Sequence, residues 1–176
     1  MSLTDRKVDL IQEGFDCALR IGHLKDSTLI AKPVTNIRLA LVASSAYWNL
    51  QGRPATPDDL IAEHYLAYEH MIYNPTNKLH QALSRHPERI RTRSNNGDVL
   101  TQMAVDGAGY TLQPTFITGP ALQSGKLEAA LPHYAPSPMK LSVVYPHRQW
   151  QASKLSAFVQ FVSEFYDDSP YWDQTS

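Results

Sequence analysis

From Asp9 to Ser45 the chain sets two short apolar runs between clear breaks, and few architectures accept that pattern. Cys17 to Ile21 puts Cys17, Leu19 and Ile21 on one side and Ala18 and Arg20 on the other, the period of two of a β-strand. Ile37 to Ala43 is nearly all apolar, as strands covered on both faces tend to be. Ser44 or Ser45 can then cap a helix over Ala46 to Leu50. A strand covered on both faces needs other elements above and below it, so the segment predicts an α/β fold.

The rest of the chain continues the alternation. Val8 to Gly14 fits a short helix with Gly14 just past its end. Gly52-Arg53-Pro54 breaks the helix after Ser45, and Thr56-Pro57-Asp58-Asp59 is a new helix start: a cap, a proline in the first turn, then acids at the positive end of the dipole. Tyr65 to Tyr68 reads as a strand. Leu79, Ala82 and Leu83 fit a helical stripe closed by His86-Pro87. Asn95-Asn96-Gly97 opens a helix through Ala104 that Gly107 closes. Tyr110 to Leu112 is a strand, Thr115 to Leu122 a helix ending near Gly125, and Leu127 to Leu131 and Leu141 to Tyr145 are strands. Leu155 to Phe165 is an amphipathic helix with Phe158, Phe161, Val162 and Phe165 on one face, and Ser169 to Ser176 a loose tail. This order predicts a mainly parallel sheet.

Composition removes several function classes. The 176 residues carry 16 Lys and Arg against 17 Asp and Glu, for a net charge of -1, so the basic excess of a nucleic-acid-binding domain is missing. The one basic cluster, Arg85 to Arg93, includes Arg89, Arg91 and Arg93, which would share a strand face; it reads either as a solvated face or as a phosphate-binding stripe. A single cysteine, Cys17, rules out an internal disulfide and a cysteine-based zinc site, and its apolar neighbours make it a core residue. Seven histidines show no metal-ligand spacing, and no nucleophile elbow, Walker or dinucleotide motif occurs, so no metal, cofactor or catalytic centre is expected. No apolar run reaches 18 residues, so no membrane helix is expected, and the N-terminus lacks the apolar core of an export signal. A cytoplasmic protein is the expectation.

A series of short motifs occurs in one order. They are Asp16-Cys17-Ala18-Leu19-Arg20-Ile21-Gly22, Asp26-Ser27-Thr28-Leu29-Ile30-Ala31 and Leu41-Val42-Ala43-Ser44-Ser45-Ala46-Tyr47, followed by Ser94, Asn95, Gly97, Gly107, Gly109, Leu112 and Pro114 at their spacing, Gly125-Lys126-Leu127 ahead of Val144-Tyr145-Pro146-His147-Arg148, and Phe158-Val159-Gln160-Phe161. Together, over residues 4 to 167, they resemble the effector-binding (inducer-binding) domain of LysR-type transcriptional regulators.

That resemblance implies the type II periplasmic-binding-protein-like fold: two Rossmann-like α/β lobes joined by two crossover strands, near Arg38 to Leu41 and Leu141 to Val144. Lobe one would be residues 1–41 plus 141–170, lobe two 42–140, with 171–176 a tail. It also favours a β-hairpin, Lys78 to Leu83 with Arg89 to Arg93, over the helical stripe. The family's helix-turn-helix and the opening strand-helix-strand of its effector domain have no counterpart ahead of Asp5-Arg6-Lys7-Val8-Asp9-Leu10, so lobe one is expected to be incomplete, with an exposed apolar edge that promotes self-association.

The resemblance places an effector between the lobes. Helix starts attract anions through free N–H groups, and two are expected to face the cleft from lobe two: Ser44-Ser45-Ala46 and Ser94-Asn95-Asn96. Plain capping accounts for the same residues. The effector-binding candidates are Arg20, Ser44, Ser45, Asn95, Tyr110, Thr111, Gln113, Pro114 and Tyr145. Arg20 would pair with an anionic effector or form a structural salt bridge; Tyr145 would gate the opening or simply pack.

The leading reading is the sensor domain of a transcription regulator, not an enzyme, that binds a small, preferably anionic effector. DNA would be reached only through the helix-turn-helix of a longer parent. The alternative is a solute-binding protein of a transporter, which shares the fold. From charge balance alone, this chain is predicted to give no salt-resistant, sequence-specific shift of DNA in a gel assay; such a shift would contradict the reading.

Overall fold

Met139–Pro146 organises the first half of the structure, because every residue from Leu141 to Pro146 is buried and a strand covered on both faces must have neighbours on both edges. The computed structural model describes residues 9–10, 12–22, 29–147, 153–166 and 170–173. They fall into two compact units, Met1–Ile37 with Pro138–Gln174, and a second centred on Arg38–Ser137.

In the first unit, β1 (Ala18–Ile21) and β2 (Leu29–Ile37) flank β8 (Met139–Pro146), both antiparallel to it. Leu19 pairs with Val143 and Ile21 with Leu141 on one side; Ala31 pairs with Val144 and Ile37 with Met139 on the other. The register slips between Pro33 and Thr35, where proline offers no N–H to the ladder. Helix α5 (Ser153–Phe165) lays Leu155, Val159 and Val162 on Val143 and Tyr145. Cys17 packs against the same cluster.

In the second unit β3 (Leu39–Ala43) runs between β6 (Thr111–Pro114) and β7 (Glu128–Ala130), antiparallel to both. β4 (Leu66–Tyr68) and β5 (Thr92–Ser94) are parallel, and a parallel bridge from Tyr65 to Tyr110 brings β4 alongside β6. Gly109 makes that approach possible: a Cβ there would lie 2.1 Å from the His64 carbonyl oxygen. Helices α1 (Ser45–Gln51), α2 (Lys78–Ser84), α3 (Gly97–Val105) and α4 (Thr115–Gln123) complete the unit. Leu100 and Ala104 of α3 close the core with Val42, Leu66 and Leu127.

Four expectations are corrected here. Among the described strands only β4–β5 and the Tyr65–Tyr110 bridge are parallel; the long pairings of β3 and β8 are antiparallel, because each enters its sheet against the direction of its neighbours. The hairpin at 78–93 is absent. Lys78–Ser84 is helical, since Asn77 Oδ1 accepts the His80 N–H at 2.9 Å and Leu79 and Leu83 bury one stripe. The face that α5 buries is Leu155, Val159 and Val162, while Phe158, Phe161 and Phe165 are 39%, 62% and 57% exposed. The tail is not loose at Trp172, which is buried against Ile37 and Leu141. The expected helix at Val8 to Gly14 and the turn at Asp26 to Ala31 lie partly outside the described residues.

Helix α2 also carries a proton-sensitive joint. His80 is buried, and its Nδ1 accepts the Asn74 N–H at 2.8 Å, which only an unprotonated nitrogen can do. Burial holds its pKa below the ordinary 6.5. The unfolded chain therefore binds a proton that the folded chain refuses, so this contribution to stability is intact above about pH 6.5 and falls away below it. Urea unfolding midpoints should drop between about pH 7 and pH 5, with a flatter profile in His80→Gln. A parallel profile in that variant would exonerate His80.

Candidate functional site

The direction of β3 decides which candidate residues can meet. It pairs Leu39 with Pro114 and Val42 with Thr111, so its carboxyl end, at Ser44, lies at the end of the sheet where β6 begins. The carboxyl ends of β5 and β4, Ser94 and Tyr68, lie together and match the Pro114 end of β6. The two helix starts expected to share one face therefore stand at opposite ends of this sheet, a correction that follows from strand direction alone.

At one end, Ser94 Oγ accepts the Asn96 N–H at 3.0 Å. Asn96 Oδ1 then accepts the N–H groups of Asp98 and Val99 at 3.0 and 3.2 Å. The cap of α3 is thus Asn96, and the candidate Asn95 is exposed, with no hydrogen-bond partner among the described residues. Gln113 is buried on the neighbouring strand. Its Nε2 donates to Thr111 Oγ1 at 3.1 Å, and Thr111 in turn donates to the Leu66 carbonyl at 2.8 Å. This chain of bonds fixes the Gln113 amide so that its Oε1 would lie 2.9 Å from a Cβ on Gly97. Glycine at the first position of α3 is what lets the amide seat against the helix start. Pro114 precedes α4, whose first N–H, from Thr115, reaches the Arg38 carbonyl at 2.9 Å. Asn95, Gln113 and Pro114 thus converge, around an α3 terminus biased toward anions and neutral acceptors.

At the other end the polar groups satisfy one another. Ser44 Oγ accepts the Tyr47 N–H at 3.2 Å and is buried. Ser45 Oγ donates to Glu128 Oε1 at 2.5 Å, and Arg53 pairs with the same carboxylate. These two partners, the serine first, hold the Glu128 carboxyl below the usual carboxylate range. Tyr110 is stacked on Tyr65 and Trp48 and donates its hydroxyl to the Ile61 carbonyl at 3.0 Å. Tyr47, whose hydroxyl burial pushes up to about 12, lies 3.0 Å from His64 Nδ1.

Two candidates belong to the first unit. Arg20 is half-buried in β1 opposite Ser142. Tyr145 is 1% exposed within the cluster under α5, so it packs rather than gates. The arginine stripe is also corrected. Arg89 sits in the helical turn Pro87–Arg89 and binds Glu63; Arg85 binds Asp58 at 2.7 Å; only Arg93 lies in β5, and it donates to the Pro87 carbonyl at 2.8 Å. Acids from the 57–63 segment neutralise two of these cations, so no open phosphate stripe forms. What sequence reasoning missed was which residue of the Ser94-Asn95-Asn96 start caps α3, and the Gly97 seat.

Asn96→Ala should cost about 1 kcal/mol of unfolding free energy, and Asn95→Ala almost nothing, in parallel urea titrations. Equal losses would deny Asn96 the capping role.

Three comparisons bear on what this arrangement serves. A family model described as the LysR substrate binding domain matches residues 1–167. An uncharacterized HTH-type transcriptional regulator of Haemophilus influenzae is 36% identical over 155 residues, covering 85% of this chain and 52% of the relative. An HTH-type transcriptional repressor of Pseudomonas aeruginosa is 29% identical over 176 residues, covering 97% and 55%. The chain spans about half the length of the curated relatives it matches. The regulatory domain of CrgA, a LysR-type transcriptional regulator from Neisseria meningitidis, matches with a TM-score of 0.76 at 21% identity, over 93% of this chain and 81% of that one. Full-length AphB, a Vibrio cholerae virulence activator, matches with a TM-score of 0.75 at 22% identity, over 94% and 57%. At these identities the structural likeness establishes the fold.

Proposed function

The chain belongs to the LysR substrate-binding domain family, and from that premise we propose that it is the effector-sensing part of a longer bacterial transcription regulator, in which a small polar or anionic molecule binds at the Asn95–Gln113–Pro114 end of the second unit. The observation that carries the site is the Gln113 amide, buried, locked through Thr111 and seated against the glycine that opens α3. A buried amide held by two successive bonds costs little further entropy when a ligand arrives, which is how a preorganised polar contact gains affinity. Asn95, exposed beside it, supplies an amide whose hydrogen-bonding capacity is not used by the protein.

Ser44, Ser45 and Tyr110 take no part in this reading, because their polar groups already serve the protein at the other end of the sheet. The relatives are transcriptional regulators, which favours this reading over a transporter component or an enzyme. In the parent, the effector would shift the population of arrangements that present DNA-binding domains, and the protein would work in the cytoplasm.

A thermal-shift screen of this chain against small carboxylates, aromatic acids and amino acids tests the proposal, since a ligand that binds only the folded form raises the melting temperature. The expected result is a dose-dependent rise that Gln113→Ala and Asn95→Ala abolish. A rise that both variants retain would put the ligand elsewhere.

A further inference from the structure

The segments from Pro57 to Glu63 and from Ala82 to Arg89 lead into the amino ends of β4 and β5, which run parallel. They therefore meet at the end of the second unit away from Tyr68 and Ser94, the carboxyl ends beside the Asn95–Gln113 site. Between them they leave a cavity of about 320 Å³. That is close to the lower limit for pockets that hold small molecules, roughly 300 Å³. Its wall is divided by charge. Asp58, Asp59 and Glu63 stand on the first segment, and Arg85, His86 and Arg89 on the second. Ile61, Ala62 and Ala82 supply apolar surface.

The protein uses only part of this polar capacity. Asp59 is spent on its own backbone, because its Oδ2 accepts the N–H groups of Ala55 and Thr56 at 2.9 and 2.8 Å. Arg85 gives Asp58 one bond, from Nη2 to Oδ1 at 2.7 Å, where a guanidinium and a carboxylate can make two in parallel. Arg89 brings both Nε and Nη2 to the same oxygen of Glu63, at 2.7 and 2.5 Å. The other oxygen, Glu63 Oε2, is buried and has no hydrogen-bond partner. A buried acceptor without a donor destabilises the fold, so an N–H that reaches this oxygen is bound favourably. The side chains of Arg85 and Asp58 are more than half exposed, so their pair is screened by solvent and opens at little cost.

This division of charge selects the ligand. A lone anion drawn to Arg85 also meets the carboxylates of Asp58 and Glu63, and a lone cation drawn to those meets the guanidiniums. The lining is close to balance, three carboxylates against two guanidiniums and an imidazole, so it favours a molecule that carries both charges and no net one. We propose that this cavity binds a free α-amino acid as its zwitterion. The carboxylate takes two parallel bonds from Arg85. The ammonium is held by Asp58 and by Glu63 Oε2, after the Glu63 carboxylate turns toward the cavity. The side chain of the amino acid lies against Ile61, Ala62 and Ala82. This second site stands at the opposite end of β4 and β5 from the Asn95–Gln113 site and does not depend on it.

A thermal-shift series of this chain with glycine and the common L-amino acids, each at millimolar concentration, tests the proposal. The expected result is a dose-dependent rise with at least one of them. Acetylating its amino group or amidating its carboxylate should abolish the rise, because either change leaves half of the lining unmatched. Arg85→Gln and Asp58→Asn should each weaken the response several-fold with unchanged circular dichroism, since both side chains are exposed. Gln113→Ala should leave the response intact. A rise lost in Gln113→Ala and kept in Arg85→Gln would place the amino acid at the start of α3; it would overturn this proposal and leave the earlier reading standing. Equal rises with acetate or phosphate would make the cavity a simple anion site and overturn the proposal, as would a chain that no amino acid stabilises.

Discussion

The orientation of β3 is the constraint on which the second unit depends. Leu41, Val42 and Ala43 are buried, so the strand cannot lie at an edge, and its neighbours β6 and β7 both run against it. Once that is set, everything attached to its ends is sorted. The start of α1 falls at one end of the sheet and is consumed by Glu128, Tyr47 and the aromatic stack. The starts of α3 and α4 fall at the other, where Gln113 and Asn95 have chemistry to spare. The binding site proposed here would be the product of a topological fact rather than of any one motif.

Element positions were legible in the chain to a useful degree, because they rest on local physics. The cap at Ser44, the break at Gly52, the closure of α3 at Gly107 and the end of α4 near Gly125 all follow from side chains acting on their own backbone. The 78–84 helix belongs with them: its stripe of Leu79, Ala82 and Leu83 is the correct signal, and the hairpin implied by the resemblance overrode it. Strand direction was not legible. A run of apolar residues says that a strand is covered, not which way its neighbours point, and so a parallel sheet was expected where antiparallel pairs stand.

The site was legible in its residue types and not in its grouping. Asn95, Gln113 and Pro114 come together; Ser44, Ser45 and Tyr110 are drawn away by β3, and Tyr145 by the core beneath α5. The sequence offers Ser94, Asn95 and Asn96 as one helix start, and the structure assigns the cap to Asn96, which commits that amide and leaves Asn95 exposed. The phenylalanines of α5 show the same limit. Their spacing marks an apolar flank, but only the sheet beneath reveals that Leu155, Val159 and Val162 already fill the inner face.

The central claim is that the Gln113 amide and the start of α3 form a binding site. Backbone amide mapping by heteronuclear NMR during titration with the effector class that stabilises the chain is the direct measurement. The account predicts that the amides of Gly97, Asp98 and Gln113, and the side-chain amides of Asn95 and Gln113, move together and saturate together. Movement centred on Ser45, Tyr47 and Glu128, with residues 95–98 and 113 still, would contradict it.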